Sequence, residues 1–417
     1  MTWEGRRLVL HRQIPLSAGG HSREIPVGGR SRHATTRTRE SAAHQILEIL
    51  ECSSKIDVLQ YSRHDADRPG NQQRNLRTPT RNRRSFIRGR ASSAVSESFF
   101  RSLSRIGKLH PAARPSYHGL EVFENIPYVP QAGPFQKLDI YRPRGPRPPG
   151  GFPVVLYVHG GAFVSLSKDT HWIMGLAFAR AGYLVCNISY RLAPREPFPA
   201  AAVDTCAAFE WVVRNVAAYD GDVSRMILAG ESAGANLVTA LTLALCYQRP
   251  EPWAARVYDT GVMPVAVLPY MGLYEVSDAG RFSRRRSIPV WIQAILNHIE
   301  HSYVYRAGTL GPGGLDLANP LTTLERAHRL GQAPARPLPS FRLAVGTRDP
   351  ILDDTRRLER ILTAMDVPVE ASYYPGEIHA FHAMVWRQRS RQLWSETFEY
   401  LGRVLGERAQ QSHSATG

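Results

Sequence analysis

The stretch "RMILAGESAGANLVTALTLALCYQ", residues 225–248, narrows the choice of folds more than any other part of the chain. It begins with a short apolar run lacking polar alternation, the pattern of a strand covered on both faces. An apolar helix pattern follows at once. Between the two, Gly230-Glu231-Ser232-Ala233-Gly234 spells G-x-S-x-G. Glycines two positions before and two after the serine allow a tight turn that pushes the Ser232 hydroxyl out of the sheet edge. The helix that starts there directs backbone N–H groups and the positive end of its dipole at developing negative charge. Alone, G-x-S-x-G is a weak pattern that arises by chance in glycine-rich turns. Placed between strand and helix, it reads as a nucleophile elbow.

The flanking sequence repeats this alternation. Residues 153–159, 183–190, 225–230, 262–270, 341–347 and 369–375 read as buried strands. Helix patterns at 171–182, 200–219, 233–248 and 391–407 fall between or after them. Strands without polar alternation separated by helices predict an α/β fold with a mostly parallel central sheet covered on both faces. Two strand-like runs, 120–129 and 136–143, come first and lead into the turn-rich "RGPRPPGGF". The stretch 92–107 predicts a helix with Phe99, Phe100, Leu103 and Ile106 on one side. Residues 275–335 break the rhythm and read as a helical insert over the strand ends.

A second chemical signal, "YVHGGAF" at 157–163, directly follows the 153–159 strand. Acyl transfer creates a tetrahedral intermediate whose oxygen becomes negative and needs preorganised donors. Consecutive glycines let the backbone curl so that several N–H groups converge. Gly161 and Ala162 are the expected oxyanion-hole donors from this loop, with Ala233 as the third and Gly160 shaping the turn. His159 reads as a brace for the loop. A glycine-rich phosphate loop is the competing reading, but no G-K-[ST] follows.

Taken in order, "HGGAF", "YRLAPREPFPAA" (190–201) and "GESAG" resemble the hormone-sensitive-lipase branch of the α/β-hydrolase fold. The resemblance runs from about residue 120 to 407 and implies a serine esterase with a helical cap. It departs in three places: Ala162 stands for the usual third glycine, Glu231 for the common aspartate, and Arg195 where glutamate is frequent. In this fold the chain order is serine, then acid, then histidine. After Ser232 the strand 341–347 ends in "RDPILDD", which offers Asp349, Asp353 and Asp354. Asp349 comes straight off the strand end and occupies the acid's place in the family's D-P-[LI]-x-D pattern. Asp353 and Asp354 open the next helix, where the dipole favours first-turn acids. His379, in "GEIHAF" after the last strand, matches the family's base. His382, three residues on, is the alternative base or an ordinary neighbour. A zinc site would need a further ligand, and no H-E-x-x-H or nearby Cys/His set exists, so no metal and no cofactor are expected.

Composition settles the remaining organisation. Of the +16 formal charge, +10 lies in residues 1–90, where eighteen Lys+Arg face eight Asp+Glu. We therefore expect residues 1–91 to be a basic, disordered extension and 92–417 the hydrolase domain, with a cap built from about 92–118 and 275–335. The arginine-rich run 74–90 has only Phe86 to stack on bases, so nucleic acid is not the expected partner. No methionine lies between Met1 and Met174, and a start at a non-methionine codon such as that of Val95 would remove the tail. Cys52, Cys186, Cys206 and Cys246 show no metal or redox spacing, and three sit in apolar stretches, which favours reduced thiols. The absence of a signal-peptide core and of any apolar run near eighteen residues predicts a cytoplasmic protein without a membrane span. A homodimer stays open.

The expected activity is hydrolysis of short- or medium-chain carboxylic esters through an acyl-enzyme. Phe99, Phe100, Trp291, Ile292 and Ile295 are expected to form an apolar acyl or alcohol site under the cap. The same three residues could cleave an amide, lactone or formamide. Relatives that lost one of them serve as ligand receptors, but Ser232, Asp349 and His379 are all present here.

Overall fold

In the computed structural model, the described residues are 98, 101–102, 104–285, 287–305, 310–311 and 313–414. The expected extension 1–91, with Cys52, lies outside them, as do Phe99, Phe100 and Leu103. Eight strands form one sheet: β1 (Leu120–Pro127), β2 (Lys137–Pro143), β3 (Phe152–Val158), β4 (Leu184–Ile188), β5 (Gly221–Glu231), β6 (Ala266–Tyr270), β7 (Ser340–Gly346) and β8 (Val369–Tyr374). Their order is β1-β2-β4-β3-β5-β6-β7-β8. β2 runs antiparallel to β1 and to β4, and all pairs from β4 to β8 are parallel. The sheet is the mostly parallel α/β sheet expected from the alternation.

From Trp172 onward the α-helices are α1 (Trp172–Arg180), α2 (Ala200–Asn215), α3 (Ala233–Cys246), α4 (Pro252–Asp259), α5 (Arg281–Arg285), α6 (Val290–Glu300), α7 (Pro320–Arg329), α8 (Leu352–Ala364) and α9 (Gln388–Ser414). Successive side chains of a strand point to opposite faces. Val154, Leu156 and Val158 of β3 accordingly join a core with α2, α3 and α8. Val155 and Tyr157 join a second core with α1 and α9. Both faces are covered, which is why the central strands could dispense with polar residues. The free thiols Cys186, Cys206 and Cys246 are buried in this packing.

Three local expectations change. Ile106, assigned to the apolar side of an N-terminal helix, is 65% exposed. Helix α7 packs between α3 and α8, in the layer flanking the sheet, although it falls within the stretch read as an insert. Asp354, read as a first-turn dipole charge, is fully buried. Its Oδ2 accepts the Tyr274 N–H at 2.9 Å and Arg281 Nη2 at 2.6 Å, so it fastens the start of the 275–305 segment to α8. Asp353 does lie at the surface of the first turn, 3.4 Å from Arg356 Nη1.

The strand order places the chemistry. From β3 the chain moves to one side to form β4, then returns past β3 to form β5. The sheet order thus reverses between β3 and β5, and ligands of open α/β sheets sit at the carboxyl ends of strands at such a switch point. β3 and β5 are adjacent, with Val158 opposite Gly230, so the H-G-G-A loop and the G-E-S-A-G turn leave the sheet side by side.

Candidate active site

Ser232 occupies a left-handed backbone conformation, φ 55° and ψ −114°, immediately before α3. Such a conformation is strained for a residue with a Cβ and persists only when its surroundings hold it. Here the Ser232 N–H donates to Tyr270 O at 3.0 Å, and its carbonyl accepts the Asn236 N–H at 3.2 Å. The flanking glycines are required by space. A Cβ on Gly234 would lie 2.0 Å from Val158 O, and one on Gly230 would lie 2.7 Å from the same oxygen.

The loop after β3 curls through consecutive positive φ values at Gly161 (112°), Ala162 (59°) and Phe163 (62°). Ala162 thus adopts a conformation that glycine takes without penalty, and the substitution noted in the sequence leaves strain in the loop. Among the described residues, no protein acceptor engages the N–H of Gly161 or Ala162. Ala233 is the first helical residue of α3, where N–H groups have no intrahelical partner. The Gly160 N–H, in contrast, donates to Glu231 Oε1 at 2.5 Å. His159 braces the turn: its Nδ1 lies 2.5 Å from Gly160 O, and its ring stacks on Tyr190 at 4.2 Å. Beyond the loop, Phe163 stacks at 3.9 Å on Tyr303 of a π-helical turn, His301–Tyr305, that follows α6.

Asp349 and His379 come together from the loops after β7 and β8. His379 Nδ1 and Asp349 Oδ2 are 2.8 Å apart, with Asp349 fully buried and the His379 side chain one-third exposed. Asp349 Oδ1 accepts the Ile351 N–H at 2.9 Å, which fixes the carboxylate. The two loops are stitched by Arg348 N–H to Glu377 O and Gly376 N–H to Thr347 Oγ1. Burial alone would depress the His379 pKa, but the Asp349 charge and hydrogen bond, with Glu231 behind, outweigh it and raise it. The serine turn and the histidine loop share one anchor. Ser232 holds Tyr270 O, its carbonyl lies 3.4 Å from the Leu273 N–H, and the Ala380 N–H meets Met271 Sδ at 3.1 Å.

His382 is 1% exposed, and neither ring nitrogen has a hydrogen-bond partner. Its carbonyl accepts Ser390 Oγ and Trp394 Nε1, so it packs beneath α9. No group of three or more His, Cys, Asp or Glu among the described residues could hold a metal. Burial, with the His171 and His379 charges adding, outweighs the opposing Glu231 carboxylate 3.9 Å from Nε2 and pushes the His382 pKa down to about 4; burial and His171 push His159 to about 3. Both rings are therefore neutral in the fold, and the unfolded chain binds more protons below the ordinary value of about 6.5. Their contribution to stability is full above that pH and declines as pH falls toward about 4 and about 3. Each withheld proton makes stability change by about 1.4 kcal/mol per pH unit. His382→Gln should flatten the loss of urea resistance between pH 6.5 and 4 by one such increment. An unchanged slope would show that His382 is charged in the fold.

Sequence reading missed one group at this site. Glu231 is 3% exposed, and its Oε1 lies 2.8 Å from His171 Nε2 as well as accepting Gly160 N–H. Tyr157 donates its hydroxyl to Oε2. An acid at the end of an otherwise apolar strand was the available signal. Trp291, expected to line an apolar site, is 53% exposed, whereas Ile292 and Ile295 are partly buried against the core.

The α/β-hydrolase fold family matches residues 155–383, more than half of the chain, including the loop after residue 158, Ser232, Asp349 and His379. The chain belongs to this family, in its hormone-sensitive-lipase-like branch. Over 232 residues it is 31% identical to carboxylesterase NlhH of Mycobacterium tuberculosis, covering 55% of this chain and 66% of that protein. Over 233 residues it is 30% identical to an acetyl esterase of Salmonella schwarzengrund, covering 55% of this chain and 65% of that protein. The match thus spans just under two thirds of either relative. Among solved structures it is similar to esterase LipW from Mycobacterium marinum, with a TM-score of 0.58 and 23% identity over 75% of this chain and 90% of that one. The Pyrobaculum calidifontis esterase gives a TM-score of 0.56 and 22% identity over 78% of this chain and 98% of the other. Both structural likenesses support the fold. Among the described residues, no helix is long and apolar enough to cross a membrane.

Proposed function

We propose that this protein is a serine carboxylic-ester hydrolase acting on short- or medium-chain acyl esters. The observation that carries the reading is the 2.8 Å contact of His379 Nδ1 with the buried Asp349, on the loop that shares an anchor with the strained Ser232 turn. A serine hydroxyl is a poor nucleophile until a base takes its proton, and the base needs an acid to orient it. With Asp349 on Nδ1, the Nε2 of His379 is left to take the Ser232 proton as Oγ attacks the ester carbonyl. The N–H groups of Gly161, Ala162 and Ala233 hold the oxyanion. The imidazolium then protonates the departing alkoxide. Water, deprotonated by the same histidine, attacks the acyl-enzyme and releases the acid. The relatives named carboxylesterase and acetyl esterase support ester substrates with small acyl groups.

Turnover of p-nitrophenyl esters of increasing chain length tests the substrate class. We expect the highest kcat/KM with acyl chains of about two to eight carbons, and a maximum at long chains would refute that preference. His379→Ala should lower kcat by at least about a thousandfold, and His382→Ala by less than about tenfold. The opposite ranking would transfer the base to His382. Because His379 must be neutral to act and its pKa is raised, the acid limb of kcat/KM should have its midpoint above the ordinary 6.5.

A further inference from the structure

Glu231 is out of place by the ordinary rules of burial. A carboxylate 3% exposed between two cores carries a desolvation penalty and is retained only when donors surround it. Its donors come from three separate elements: Gly160 after β3, Tyr157 within β3, and His171 before α1. It precedes Ser232 by one residue, while Gly160 precedes the first proposed donor of the oxyanion loop by one residue. A single hydrogen bond therefore joins the nucleophile turn to the donor loop across 71 residues of sequence. The close approach needs glycine, because a Cβ on Gly160 would lie 2.8 Å from Glu231 Oε1. A loop with left-handed φ values at residues 161, 162 and 163 would relax if released.

We propose that Glu231 is a positioning residue that clamps the Gly161–Ala162 loop to the nucleophile turn and so fixes the distance from the attacking oxygen to the oxyanion donors. This rests on the serine-hydrolase reading above. The clamp acts on the transition state, because the donors are aimed at an oxygen that becomes charged only there. A displacement of about 1 Å in such a site costs about a hundredfold in rate. Removing the clamp should therefore lower kcat far more than it changes KM. It should also leave a mark on the pH profile. His379 faces Asp349, Glu231 and His382, and loss of the Glu231 charge removes one of the influences that raise its pKa.

The test compares wild type, Glu231→Gln and Glu231→Asp on p-nitrophenyl acetate, with rates counted per site titrated by a fluorophosphonate, and Ser232→Ala with its rate counted per mole of folded protein. Glutamine keeps the volume but has one acceptor atom for donors converging from three elements. We expect kcat per titrated site to fall at least tenfold, KM to change less than threefold, and the acid limb to move to lower pH. Aspartate keeps the charge and should recover most of kcat and the wild-type acid limb. A Gln variant within threefold of the wild-type kcat, or a fall that Asp does not relieve with the acid limb unmoved, overturns the proposal. Should the Gln variant not fold, Tyr157→Phe removes one donor to the same carboxylate. A two- to fivefold fall in kcat per site is then expected, and no change overturns the clamp. Ser232→Ala separates the two levels: turnover equal to wild type would sink the serine mechanism itself, whereas its loss beside an unaffected Gln variant sinks only the role of Glu231.

Discussion

Ser232→Ala should lower kcat/KM for p-nitrophenyl acetate by about 10⁴- to 10⁶-fold while leaving the melting temperature unchanged. On the proposed mechanism, the activity loss follows from removing the atom that forms the acyl bond; the donors and the base then act on water alone. The stability expectation comes from the backbone. With φ at 55°, the strain at this position belongs to the Cβ, which alanine retains. Ser232→Gly removes it, and should be equally inactive but more stable by about 1 kcal/mol, less whatever glycine gains in the unfolded chain. A glycine variant less stable than the alanine variant by about 1 kcal/mol, the full cost of glycine's freedom in the unfolded chain, would show that the turn is not strained.

Gly234→Ala should be among the most damaging single methyl groups that the described glycines could receive. The added carbon meets backbone on the neighbouring strand: Val158 O at 2.0 Å and His159 O at 2.7 Å. No side chain can rotate away, so α3 must lift from β3. That movement would break the packing of Val238 and Leu241 against the core they share with Leu156. Overpacking a core usually costs about 1–3 kcal/mol, and a backbone-to-backbone clash between central elements lies at or above that range. We expect at least about 3 kcal/mol in urea denaturation, or failure to accumulate folded protein. Gly402→Ala is the control for the generic effect of a methyl group at a helical glycine, since a Cβ there meets nothing within 4 Å. A Gly234→Ala variant as stable as Gly402→Ala would refute the packing argument.

What the sequence disclosed, and what it hid, divides along the range of the interaction. The strand-turn-helix at 225–248 was legible because its signals are local: apolar runs, then glycines at fixed offsets from a serine. Asp349 and His379 were legible through chain order and strand ends, and their contact follows from the parallel β7–β8 pairing. Glu231 was visible only as a departure from a motif. Its partners lie at positions 157, 160 and 171, and contacts across 60 to 74 residues leave no periodic trace. Asp354 was hidden for the same reason, since its cation, Arg281, is 73 residues earlier and a first-turn acid usually serves the dipole. α4 escaped because Pro252–Asp259 is short and its pattern mixes apolar and charged residues. Trp291 was assigned to a ligand site by chemistry alone, and its exposure depends on which side of α6 meets the core.

The Phe163–Tyr303 stack makes the 281–305 segment a lever on rate. Phe163 follows Ala162 directly, and Tyr303 also fixes the family motif at 190–201 by accepting the Phe198 N–H on its carbonyl at 2.9 Å. The same segment is tethered at its other end by Arg281 on Asp354. Anything that shifts Tyr303 also shifts the aromatic pair, and with it the loop that carries the two proposed oxyanion donors. On the proposed mechanism, a change of acyl preference made in that segment is therefore not free to alter affinity alone: it also alters the speed of bond cleavage at Ser232.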